Sequence, residues 1–171
     1  MRTQKLYCYS EPAFVAAMQG NGWHIAEDLP DNVAIISILE PDEANHHFFA
    51  EAANVLNVEF DDVDPTDWGA KRGETVYDPG NGYLVYALDD DMAQRITTFI
   101  ENNKDCDFYI HCAVGASRSQ GVVRYILDTY EDVDWQMNPN NPCITPNWHV
   151  VCMLKQRGLL DKYRKLFRET N

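Results

Sequence analysis

The sequence predicts an α/β domain of three layers, with a central, mostly parallel sheet flanked by helices. Three observations carry this. Val33 to Leu39 (VAIISIL) is a nearly continuous apolar, β-branched run, the pattern of a central parallel strand buried on both faces. Phe108-Tyr109-Ile110-His111 is a second such strand. Stretches with helical apolar spacing alternate with the strands, and 171 residues suffice for one compact domain and hardly for two.

In order, Lys5 to Tyr9 reads as a short strand. Ser10 caps a helix with Glu11 and Pro12 in its first turn and Phe14, Val15 and Met18 on one face, ended by Gly20-Asn21-Gly22. After the 33–39 strand, Pro41-Asp42-Glu43 opens a helix over roughly 43–54. Asn57 to Phe60 is a further strand, running into the acidic stretch Asp61-Asp62-Val63-Asp64. Residues 65–82 hold Pro65, Gly69, Gly73, Pro79, Gly80 and Gly82, which spells a long loop, with a hairpin using Tyr83 to Ala87. Asp89-Asp90-Asp91 suits the N-terminus of a helix carrying Met92, Ile96, Phe99 and Ile100. Another helix carries Val122, Val123, Tyr125, Ile126 and Leu127. Residues 137–147 form a loop, and one or two helices from about 147 to 168 finish the chain.

Composition narrows the function. No apolar run approaches the ~20 residues that span a bilayer. Met1 to Lys5 is not followed by a long apolar run, so no secretory leader is expected. The net charge of −13 disfavours general nucleic-acid binding. The charge is uneven: residues 1–91 carry −14 and residues 92–171 carry +1, so an anion site belongs in the second half. Five cysteines (Cys8, Cys106, Cys112, Cys143, Cys152) form no Cys-x-x-Cys pair. Free thiols in a reducing cytoplasm are expected, most of them buried as small apolar residues.

The sharpest feature is Ile110-His111-Cys112-Ala113-Val114-Gly115-Ala116-Ser117-Arg118-Ser119. A bare Cys-x5-Arg is weak, but here a cysteine ends an apolar strand, an arginine opens a helix, and glycine and small residues lie between. That arrangement aims backbone N–H groups and a helix N-terminus at one spot, an anion cradle. The thiolate is the form such a cradle favours. Arg118 can grip two phosphoryl oxygens. A structural cysteine before a tight turn would explain neither Arg118 nor Ser119.

Other features read as structural. The acidic run fails as a calcium loop, lacking glycine and glutamate at the required positions. His46 and His47 are adjacent, cannot share a helix face as ligands, and are expected at the surface. Lys155, Arg157, Lys162, Arg164, Lys165 and Arg168 are expected as a solvated helix face.

The motif His-Cys-x-x-Gly-x-Ser-Arg-Ser resembles the phosphate loop of the cysteine-dependent protein tyrosine phosphatases, in its dual-specificity form. VAIISIL at 33–39, VEFDDVD at 58–64, the helix ending Phe99-Ile100, and Pro146-Asn147 heading a late helix resemble the small bacterial and phage-type members. The likeness covers about residues 30–160, with 65–87 as an insertion. It implies a fold of that family, with Cys112 as nucleophile, and with Arg118 and the backbone amides of Ala113, Val114, Gly115, Ala116, Ser117 and Arg118 binding phosphate. It implies that Ser119 helps the thiolate leave, that His111 orients the cysteine, and that no metal or other cofactor is needed. It favours Asp62 as general acid, with Asp61 next, Asp64 and Asp67 on the same loop, and Asp89 as the rival before the next helix. The implied substrate is a phosphotyrosine or phosphoserine/threonine protein or peptide. Ala113, Val114 and Ala116 are not basic, which disfavours a polyphosphorylated lipid headgroup. The acidic first half disfavours highly acidic peptides. RNA 5′-triphosphate hydrolysis or other phosphate-ester chemistry on the same fold, and a non-catalytic phospho-binding module, are the other classes.

Overall fold

The computed structural model describes residues 4–71, 76–77, 80–131, 133–136 and 145–169. Five parallel strands form its sheet: β1 (Gln4–Ser10), β2 (Val33–Leu39), β3 (Val55–Glu59), β6 (Asp107–Cys112) and β7 (Val133–Gln136), in the order β3-β2-β6-β1-β7. A separate antiparallel pair joins β4 (Val76–Tyr77) to β5 (Leu84–Val85). The helices are α1 (Glu11–Gly20), α2 (Asp90–Asn102), α3 (Arg118–Thr129) and α4 (Trp148–Glu169). The expected three-layer α/β arrangement is therefore present.

The layers follow from alternation along β2, all seven of whose residues are buried. Val33 and Ile35 pack with Phe14 and Met18 of α1, and with Phe49 and Val55. Ala34, Ile36 and Ile38 face the larger core, with Ile96 and Ile100 of α2, Val122 and Ile126 of α3, and Val150 and Leu154 of α4. Such a strand has no solvent face, which is why its sequence shows no polar alternation. The middle of the sheet, however, is β6 rather than β2.

The helix starts follow side-chain caps. Ser10 Oγ accepts from Ala13 N at 3.4 Å at the head of α1. Asp89 Oδ1 accepts from Met92 N at 2.8 Å at the head of α2, whose Ala93, Ile96, Phe99 and Ile100 are buried. One helix, α4, finishes the chain, and none among the described residues is long and apolar enough to cross a membrane.

Several local expectations are corrected. The helix at 43–54 is a 3-10 turn over Pro41–His46 followed by irregular chain. Side chains there take what a helix would need: Asn57 Nδ2 donates to the Phe49 carbonyl at 3.0 Å, and Phe49 turns into the α1-side core. His47 is not a surface residue. Its side chain is 5 % exposed, with Nδ1 2.6 Å from Ser37 Oγ and Nε2 2.6 Å from Glu59 Oε1. His46 is exposed. The strand at 57–60 runs Val55–Glu59, and β7, a short edge strand with alternating polarity, was not foreseen. Arg157 does not lie on a solvated face: it is buried, with Asp90 and Asp161 each 3.4 Å away. Lys155 pairs with Asp128 at 2.5 Å. Of the cysteines, Cys8 and Cys112 are buried, Cys106 is half-buried and Cys152 exposed. Cys143 and residues 137–144 of the expected loop lie outside the described residues.

Replacing Asp89 with alanine should cost about 1 kcal/mol in a denaturant titration, the usual value of a lost N-cap, and asparagine should restore most of it.

Candidate active site

The five strands are parallel, so their C-terminal ends open on one edge of the sheet, where α/β folds place their sites. Ser10 of β1 is in register with Cys112 at the end of β6. Beyond β2 comes Glu40, and beyond β3 come Phe60, Asp61 and Asp62. Residues far apart in sequence thus converge on the segment 113–117 between β6 and α3.

That segment is held from outside. The Ala113 carbonyl accepts from Glu11 N at 3.1 Å, and the Ala116 carbonyl from Thr145 N at 3.0 Å. The Ser117 carbonyl accepts from Gly121 N at 2.9 Å and Asn147 N at 3.1 Å. The Gly115 carbonyl accepts from Gln120 Nε2 at 3.1 Å and from the Cys8 thiol at 3.7 Å. In a trans peptide the N–H points opposite to the C=O. Carbonyls drawn outward therefore leave the following amides facing the inside of the loop. Gly115 N donates inward to Cys112 Sγ at 3.2 Å. Gly115 has φ +76°, and a Cβ there would lie 2.5 Å from the Tyr9 carbonyl group, so only glycine fits.

Cys112 is buried and also meets Ser119 Oγ, at 3.1 Å, on the first turn of α3. One backbone N–H, a hydroxyl and a helix N-terminus thus surround one sulfur. Burial pushes the thiol of Cys8, on the neighbouring strand, up to about 12; it donates to the Gly115 carbonyl and its sulfur accepts from Gln120 Nε2 at 3.2 Å.

Arg118 is 3 % exposed. Its Nη1 donates to the Phe60 carbonyl at 2.8 Å and its Nη2 to Glu40 Oε1 at 2.5 Å, while Nε is buried without a partner among the described residues. Burial raises the Glu40 carboxyl, but a hydrogen bond from Glu43 and the Arg118 guanidinium outweigh it and hold Glu40 below the usual range. Glu43, sharing that hydrogen bond, is held above it.

The candidate aspartates separate. Asp62 Oδ1 accepts from Ser117 Oγ at 2.7 Å and from Asn147 Nδ2 at 2.8 Å, so it touches the loop itself. Asp61 turns away, its Oδ2 accepting from Tyr86 N at 2.8 Å. Asp64 Oδ1 caps the 3-10 turn Pro65–Trp68 by accepting from Thr66 N at 3.0 Å, and Asp67 is exposed in that turn. Asp89 is occupied in capping α2.

His111 points to the other face of the sheet and stacks on Phe14, with ring centroids 4.2 Å apart. Burial, helped by His47 and Arg118, pushes its imidazole down to about 3, and neither ring nitrogen has a hydrogen-bond partner among the described residues. Among the described residues no cluster of His, Cys, Asp and Glu could hold a metal ion. A cavity of about 910 Å³ lies between α2, α3 and α4 and is not lined by the loop.

Sequence reasoning passed over Glu40, Asn147, Gln120 and the Ser117 hydroxyl. Glu40 and Asn147 could have been found by position: each stands at the join between a strand or loop and the edge where parallel strands open.

No protein-family model matches the chain, and no curated protein matches it.

His111 gives a test of this geometry. Below its ordinary pKa of 6.5 the unfolded chain takes up a proton that the folded chain refuses until about pH 3. Stability should therefore fall on acidification through that window, with a contribution of up to about 1.4 kcal/mol per pH unit. Denaturant titrations of His111→Phe between pH 7 and pH 4 should show a correspondingly shallower loss than the parent.

Proposed function

We propose that the chain is a cysteine-dependent phosphatase of the protein tyrosine phosphatase superfamily, dual-specificity type. Its substrates would be phosphotyrosine, and as a second class phosphoserine or phosphothreonine, on proteins, hydrolysed through a phosphocysteine intermediate. The observation that carries the reading is a cysteine sulfur receiving Gly115 N–H and facing the Ser119 hydroxyl inside a loop whose carbonyls are bound on its outer side.

In this reading the loop amides and Arg118 bind the phosphoryl oxygens, where preorganised donors meet the charge of the transferring group. The Cys112 thiolate attacks phosphorus; an S–P bond forms as the P–O bond to the leaving group breaks. Asp62 gives its proton to the departing oxygen. Water then attacks phosphorus, Asp62 takes back a proton, and the S–P bond breaks, with the Ser119 hydroxyl donating to the emerging thiolate. The contacts from Ser117 and Asn147 support Asp62 for this role over Asp61 and Asp89. Glu40 and the Phe60 carbonyl would hold the Arg118 fork in the plane it needs. His111 would contribute as a neutral, buried ring behind the nucleophile. The mechanism calls for no cofactor, and a nucleophile that must stay reduced suits the cytoplasm.

Cys112→Ser should abolish aryl phosphate hydrolysis while circular dichroism and anion binding are retained; substantial residual turnover would defeat the assignment. Asp62→Asn should slow phosphotyrosine hydrolysis by roughly 10²–10⁴-fold and an ester with a low-pKa leaving group far less. If Asp89→Asn shows that leaving-group dependence instead, the acid comes from the head of α2. Glu40→Gln should lower kcat less than Arg118→Lys does, since it leaves the guanidinium in place.

A further inference from the structure

The surroundings of the loop are unusual in charge for a site that would hold a dianion. Glu11 donates its backbone N–H to Ala113. Glu40 is bound to Arg118, and Glu43 is hydrogen-bonded to Glu40 and feels the charge of Glu11. Asp62 is bound to Ser117, with Asp61 beside it. Three chain segments thus bring acids to the mouth, and the Arg118 charge at its centre is already matched by Glu40.

Arg118 Nε, buried and without a partner among the described residues, remains as a donor for an anion, together with the inward amides. A phosphate dianion entering here therefore gains local hydrogen bonds against an unfavourable surrounding field. A ligand carrying further negative charge meets that field more strongly, whereas one with cations beside the phosphate is drawn in. Exposed apolar side chains stand among the acids. Tyr86 is zipped by its backbone to Asp61, through Asp61 N to the Tyr86 carbonyl at 2.7 Å and Tyr86 N to Asp61 Oδ2 at 2.8 Å. Trp148 follows the Asn147 that binds Asp62, and Val114 stands at the tip of the loop. Aromatic faces beside carboxylates suit guanidinium and ammonium groups with long aliphatic stems.

We infer that the site selects phosphorylated segments flanked by lysine or arginine, with Glu11 and Glu43 reading the flanking cations and Tyr86 and Trp148 covering their stems. This rests on the phosphatase reading and goes beyond it in naming the substrate class. It places nucleic acids, polyphosphates and acidic phosphopeptides among the poor substrates.

The test compares kcat/KM for three substrates: a small aryl phosphate, a phosphotyrosine peptide with Lys/Arg flanks, and the same peptide with Asp/Glu flanks. At low salt the basic peptide should exceed the acidic one by roughly 10–10²-fold, the range over which charge steers association, and the ratio should shrink as salt is raised to about 0.5 M. The double variant Glu11→Gln/Glu43→Gln should reduce the ratio several-fold; the ratio, not the aryl phosphate rate, is the readout. If the aryl phosphate is hydrolysed but the peptides are equal, or the acidic peptide or a 5′-triphosphorylated RNA is preferred, the inference is overturned and the phosphatase reading stands. If none of these substrates is hydrolysed, both fall.

Discussion

The outward tethering of the loop carbonyls is the constraint on which the site depends. An isolated Cys-x5-Arg segment has no reason to turn its amides inward. Here Glu11 N, Gln120, Thr145 N and Asn147 N each hold a carbonyl on the outer side. These donors come from the head of α1, the first turns of α3 and the approach to α4. The loop is therefore assembled only when the sheet and its helices are packed. Gly115 makes the fit possible, because its missing side chain lets the loop lie against Tyr9 and Ser10.

Arg118 extends the same logic to charge. A guanidinium that is 3 % exposed needs compensation, and Glu40 supplies it from the end of β2, with the Phe60 carbonyl from the end of β3. A charged hydrogen bond of this kind is worth roughly 1.5–3 kcal/mol net, enough to fix the fork. The pair also means that the site carries little net positive charge of its own. Under the proposed function, anion affinity then rests on amide dipoles and geometry, and the acids at the rim are free to act on what the phosphate is attached to.

Much of this was legible in the sequence, and for identifiable reasons. VAIISIL and DFYIHC are buried on both faces or nearly so, and apolar runs of that kind declare themselves without knowledge of their neighbours. Ser10 and Asp89 announced helix starts because capping is local. The cysteine and arginine stood out because strand end, glycine and helix start are adjacent in the chain. Long-range choices were hidden. The 43–54 segment has helical composition, but Asn57 and the burial of Phe49 lie outside the window that composition can weigh. His47 looked exposed because its partners Ser37 and Glu59 lie on two different strands. Glu40 and Asn147 showed only as the residue after a strand and the head of a late helix; that they meet Arg118 and Asp62 depends on strand order.

The central claim is that Cys112 sits where it can take a phosphoryl group. The most direct measurement is rapid acid quench of the full chain during turnover of a phosphotyrosine substrate, followed by peptide mapping of protein-bound phosphate. The account predicts transient phosphate on the peptide containing Cys112, with the chemical lability of a thiophosphate ester. Turnover with no protein-bound phosphate, or with phosphate on any other residue, would contradict it.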